Sequence, residues 1–160
     1  MSKDDIISTY RREIDLTVKV LRAVPEGQLD YKPHEKSSSI KDLLRTFIAE
    51  MHMNKDFLRG QEPKDTMTKV PEFDFITEGI ATFENASKEF LNAASETPEE
   101  DYNQPFSIWG MNQTRGAFVM MMLFDLIHHR GQLSVYVRLS GGLVPSIYGP
   151  SADDNGGMSA

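Results

Sequence analysis

The chain has 160 residues, 39% hydrophobic and 26% charged, a length and balance suited to one soluble globular domain with a proper core. Its formal net charge is −7 and it has no cluster of Lys and Arg, which argues against the counterion-releasing surface that duplex nucleic acid or an anionic membrane requires. It contains no cysteine, so disulfides, thiolate nucleophiles and thiolate metal ligands are excluded.

The first residues, Met1-Ser2-Lys3-Asp4-Asp5, are charged and lack the apolar core of a signal peptide. No apolar run approaches the ~20 residues of a membrane-spanning helix. The expectation is a cytoplasmic protein without nucleic-acid or membrane partners.

Periodicity predicts four helices. The first runs over 3–24, with Ile6, Ile7, Tyr10, Ile14, Thr17, Val18 and Leu21 on one stripe. It ends at Val24-Pro25, because a residue before proline is pushed out of the α region. The second spans 39–59 and aligns Leu43, Leu44, Phe47, Ile48, Met51 and Leu58; Ser39 with Asp42 resembles a capping box at its start. The third, over 73–96, carries Ile76, Ile80, Phe83, Phe90 and Ala94 and closes before Pro98. A short extended piece is expected around Phe106–Trp109. The fourth helix, over 113–140, contains Phe118, Met121, Met122, Ile127, Leu133, Tyr136 and Val137, with Gly141-Gly142 as its stop.

This is the pattern of an all-α four-helix bundle occupying residues 1–148, with a flexible tail over 149–160. The connections 25–38, 59–72 and 97–112 each exceed ten residues. Antiparallel neighbours need only about 2–8, so at least one connection is expected to cross the bundle.

The stretch His128-His129-Arg130-Gly131-Gln132-Leu133 is anomalous inside the last apolar helix. A buried polar side chain without a partner costs roughly 1–3 kcal/mol. A mid-helix Gly costs about 1 kcal/mol relative to Ala, so Gly131 is expected to mark the close approach of a neighbouring backbone. Asp125 and His129 are four residues apart and share a face, with Met122, Gln132 and Tyr136 near the same stripe. Together they offer two donors to a divalent ion. A third must come from a facing helix, where Glu50 and, less favourably placed, His52 are available.

Plainer roles suffice for the other polar residues. An i,i+4 hydrogen bond or ion pair explains Asp125 and His129 without metal. His128 is expected at the bundle margin or a dimer contact, and Arg130 beside an acidic group or a loop carbonyl. His34 is expected in solvent, Ser37-Ser38-Ser39 reads as a helix entry, and Met120-Met121-Met122 as core filler. No Gly-rich phosphate loop, G-x-S-x-G elbow or H-E-x-x-H pair occurs.

The segment Asp125–Arg138, DLIHHRGQLSVYVR, resembles the last-helix motif of the DinB-like superfamily. Val144–Ser151 is similar to an extension that many members carry, and Leu29–Ser37 resembles the block entering their second helix. The resemblance implies a bundle of four helices with a long crossover, often dimeric through helix faces. It also implies a family described as DNA-damage-inducible or metal-dependent, some of whose members use the metal to activate a low-molecular-weight thiol.

The metal ligands that the resemblance implies are three histidines, one from the second helix and a His-x-x-x-His pair from the last. Here His129 matches the second of that pair, Asp125 stands in place of the first, and Thr46 occupies the second-helix position. With one ligand kept, one replaced and one lost, the site reads as degenerate. The preferred reading is a non-catalytic homodimer that binds a small molecule or protein through a pocket of Thr46, Gln132 and Tyr136, with no identifiable catalytic residues. The alternative is a metal-dependent enzyme holding Zn, Ni or Mn on Asp125, His129 and Glu50, with a thiol or other small molecule as its ligand and Gln132 or Tyr136 orienting it.

Overall fold

A computed structural model describes residues 2–154. The elements in chain order are α1 (Lys3–Leu21), α2 (Ile40–Leu58), α3 (Ile76–Glu96), the short α4 (Glu99–Tyr102), β1 (Pro105–Ile108), β2 (Met111–Thr114) and α5 (Arg115–Leu139). The protein is mostly helical, as the periodicity predicts.

Helix ends follow local chemistry. Ser39 accepts the Asp42 amide while the Asp42 carboxylate accepts the Ser39 amide, which is the capping box expected there. Ser2 and Asp5 form a second one at the start of α1. At the end of α5, Gly141 adopts φ +93°; its amide bonds the Arg138 carbonyl and that of Gly142 bonds the Val137 carbonyl, forming a Schellman stop. The first helix is three residues shorter than periodicity suggests. Its last bonds, Ala23 to Val20 and Val24 to Leu21, tighten into i→i−3 turns before Pro25.

The connection 97–112 carries structure that periodicity misses. It holds α4, and β1 pairs antiparallel with β2 from Pro105 opposite Thr114 to Ile108 opposite Met111. The turn residues Trp109 (φ 54°) and Gly110 (φ 74°) both have positive φ, as a two-residue type I′ hairpin requires. Residues 111–114 are therefore strand, and α5 starts at Arg115 with Thr114 capping the Ala117 amide. The weak alternation of these short strands explains why only the first was legible.

Helix α1 packs on α3 and α5, and α2 packs on the same two helices. The four long helices thus form a ring in the order α1, α3, α2, α5, which makes the sequence neighbours α1 and α2 diagonal. That arrangement accounts for the long chain between them. Tyr10, Phe47, Phe57, Phe83, Phe90 and Phe118 are fully buried at the centre. Each large apolar side chain buried there contributes on the order of 1.5–3 kcal/mol. Among the described residues, no helix is long and apolar enough to cross a membrane.

Residues 149–154 make specific contacts. Asp153 accepts from Arg138 and from the Val144 amide, and Ser146 bonds Asp154. The remainder of the predicted flexible tail, 155–160, lies outside the described residues.

Candidate metal centre

Helices α2 and α5 pack side by side, and each contributes to one cluster. Glu50 projects from the middle of α2, while Asp125 and His129 project one turn apart from α5. One ligand atom from each of the three lies within 4.8 Å of the others. Within the cluster, His129 Nε2 stands 3.6 Å from Asp125 Oδ1.

The cluster is graded from core to solvent. Glu50 is only 2% exposed, whereas the Asp125 and His129 side chains are 43% and 25% exposed. Neither carboxylate oxygen of Glu50 has a hydrogen-bond partner among the described residues. Burial raises its carboxyl well above the ordinary carboxylate range, and the nearby Asp125 carboxylate pushes it the same way. An isolated anion in this position is strongly disfavoured. The arrangement therefore calls for either a proton or a cation.

The His129 ring is held from its other side. Gln132 presents Oε1 to His129 Nδ1 at 3.2 Å and donates from Nε2 to the Tyr136 hydroxyl at 2.7 Å. With the amide in this orientation Nδ1 is the donor, and Nε2 is the ring nitrogen that faces the carboxylates. Histidines that bind metals are commonly oriented by such an outer hydrogen bond. Tyr136 is itself buried and meets Tyr31 edge-on at 6.2 Å.

The Thr46 hydroxyl, one turn before Glu50, donates back to the Asp42 carbonyl at 3.0 Å. The other predicted histidines stand outside the cluster. His52 is half-buried outside the cluster, where burial and then Lys55 lower its imidazole. His128 is exposed, its ring centroid 5.2 Å from that of His129, and His34 is exposed in its loop. Gly131 corrects an expectation. A Cβ added there would meet nothing within 4 Å, so no backbone among the described residues approaches it. Helix α5 instead turns Gly131 outward, because Arg130 takes the inward position beside it.

Arg130 finds the acidic partner expected of it. Its guanidinium lies 2.7 Å from Glu13 Oε2, bonds the Glu13 carbonyl, and donates to the Tyr148 hydroxyl. Tyr148 in turn donates to Glu13. Arg130 and Glu13 are both almost fully buried, and the triad joins α1, α5 and the segment after α5. Sequence reasoning missed Glu13, although a charged residue on the otherwise apolar stripe between Tyr10 and Ile14 was a usable signal.

Comparison with known proteins agrees with the fold. The chain matches the DinB family over residues 1–156. It is 23% identical over 155 residues to the uncharacterised YrdA protein of Bacillus subtilis, covering 94% of this chain and 90% of that protein. A crystal structure of a DinB-like protein from Bacillus cereus ATCC 10987 superposes with a TM-score of 0.78 at 19% identity, covering 92% of this chain and all of that one. The crystal structure of the DinB-like protein YjoA from Bacillus subtilis superposes with a TM-score of 0.71 at 21% identity, over 86% of this chain and 92% of that one. With the family matched along almost its whole length, the chain belongs to the DinB family.

Proposed function

We propose that this protein binds one divalent cation through Glu50, Asp125 and His129 and works as a metal-dependent member of its family. The observation that carries the reading is Glu50. An i,i+4 contact accounts for Asp125 and His129 by themselves, but it leaves Glu50 buried beside a second carboxylate with no donor for its oxygens, a pairing that only a shared proton or a cation resolves. Two carboxylates and a neutral imidazole bring the charge and the donor types that suit Zn, Ni or Mn.

Glu50 supplies the α2 ligand one turn beyond the position that Thr46 occupies. With Asp125 and His129 partly exposed, the face of the cluster away from Glu50 is turned to solvent. A cation held there supplies a Lewis acid to an incoming ligand such as a thiol or water. Gln132 and Tyr136 hold the imidazole orientation.

Elemental analysis of tag-free protein, after dialysis against Zn²⁺, Ni²⁺ and Mn²⁺ in turn, is expected to find near-stoichiometric metal with at least one of them. His129→Ala should lose it. Metal-free protein under all three conditions defeats the proposal. Metal-supported transfer to a low-molecular-weight thiol then separates an enzyme from a bundle that only binds.

We further propose that two copies pair through the outer face of α5. Phe124, Val135 and Leu139 are 64%, 53% and 58% exposed, and Gly131 lies open on the same side. A helix that is apolar on every side is ordinarily covered. Sedimentation should give a dimer for the native chain and a monomer for the Phe124→Glu/Val135→Glu variant. A monomeric native chain at tens of micromolar rejects this assembly.

A further inference from the structure

A groove of about 610 Å³ lies between α1 and α3, on the side of the molecule away from the Glu50–Asp125–His129 cluster. The two helices run antiparallel. Lys3 Nζ bonds the Ser95 and Thr97 carbonyls, Tyr10 packs on Phe90, and Arg22 reaches Glu84. The groove therefore has a defined length, from Arg11 at one end to Arg22 at the other, or about 16 Å along the axis of α1 at 1.5 Å per residue. Its volume falls within the roughly 300–1,000 Å³ usual for small-molecule sites.

Its chemistry changes from floor to rim. Ile14 and Val18 form an apolar floor with Leu91 beside them. Ser87 is 2% exposed, and its hydroxyl has no hydrogen-bond partner among the described residues. The rim carries Arg11, Lys19, Arg22 and Lys88 against two carboxylates, Asp15 and Glu84. That local excess of cations stands out in a chain of net charge −7.

The rim charges are unequally engaged. Arg22 pairs with Glu84 at 2.8 Å, closing one end of the groove, and Lys19 donates to the Ser146 carbonyl. At the opposite end Arg11 and Lys88 make no ion pair among the described residues. Asp15 lies along the same rim, and no ion pair within 4.0 Å ties it to either of them.

We propose that this groove binds an elongated organic anion. Its carboxylate lies between Arg11 and Lys88, and its apolar body lies along Ile14 and Val18. Two free cations select the charge of the head, the apolar floor selects the body, and the Arg22–Glu84 pair limits its length. The site is independent of the metal cluster, because α1 and α3 contribute nothing to that cluster.

The test is calorimetric titration of the full-length protein with decanoate below its micellar concentration, with decanol and decylammonium as neutral and cationic counterparts of the same body. Saturable decanoate binding is expected, at least tenfold tighter than that of either counterpart. The surface variant Arg11→Glu/Lys88→Glu should weaken decanoate at least tenfold and favour decylammonium instead. Glu50→Gln should leave decanoate affinity unchanged, which separates this site from the metal centre. Absence of saturable decanoate binding, equal binding of the three probes, or an unaltered affinity in the double variant each overturns the proposal. So would protection of this groove by a second copy of the chain in the native assembly.

Discussion

Glu50→Gln is expected to weaken metal binding more than about 100-fold while making the metal-free protein more stable above neutral pH. Outer hydrogen-bonding partners of a metal ligand are by themselves worth about 10–100-fold in affinity, so losing a charged ligand should exceed that. The stability gain has a separate cause. Burial and Asp125 raise the folded-state carboxyl of Glu50 above its value in the unfolded chain. Between those two values the native state holds more protons than the unfolded state, so stability falls as pH rises.

The contribution from protonated Glu50 is complete below about pH 4.3 and disappears as pH climbs through the raised folded value. Glutamine is neutral throughout and its amide can donate to Asp125. Relieving an uncompensated buried group of this kind is worth roughly 1–3 kcal/mol. Urea titrations of metal-free native and variant protein at pH 5, 7 and 8.5 provide the check. The native protein should lose stability across that series more steeply than the variant. Equal slopes together with unchanged metal affinity would remove Glu50 from the site.

Arg130→Met is expected to be the most damaging single substitution away from the Glu50–Asp125–His129 cluster. Removing one partner of a buried ion pair leaves the other charge stranded, at a cost of about 3–5 kcal/mol. In a domain of this size that lowers the melting temperature by on the order of 10 °C. Tyr148 can still donate to Glu13, but its one hydroxyl cannot replace the two contacts that Arg130 makes there.

A second substitution separates the pair from mere packing. Glu13→Leu combined with Arg130→Met removes both charges and should recover a large part of the loss, because contacting partners are not additive. A single-variant loss below about 1 kcal/mol, or no recovery in the double variant, would contradict a buried pair.

Much of this architecture is local, and local features are legible in sequence. The stripe from Ile6 to Leu21 is buried almost as written, and so are Leu43, Leu44, Phe47, Ile48, Met51 and Leu58 on α2. Ser39 with Asp42 and the pair Gly141-Gly142 mark helix ends because a cap is built within a few residues. The hairpin was half legible. Its four-residue strands show too little alternation, and Trp109 at a positive φ is not the residue a type I′ turn announces. The tight Ser39-type signals are absent there.

The candidate metal cluster divides along the same line. Asp125 and His129 are one turn apart on one helix, so their proximity follows from helix geometry and needed no fold. Glu50 and His52 were the donors available on the facing helix, two residues apart and so on different sides of it. Which of them faces α5 at the level of Asp125 depends on the axial offset and rotation of two packed helices.

By itself, then, the chain determined its four long helices, most of their buried stripes, their caps, and the family motif carrying Asp125 and His129. Only the tertiary structure decided that Glu50 completes the cluster, that Glu13 is the acid beside Arg130, and that Gly131 faces outward rather than toward another backbone. Periodicity records the angle of a side chain about its own helix axis. It holds no information about the depth and rotation at which a second helix comes to rest against it, and those two quantities place a ligand, a counter-ion or an exposed glycine.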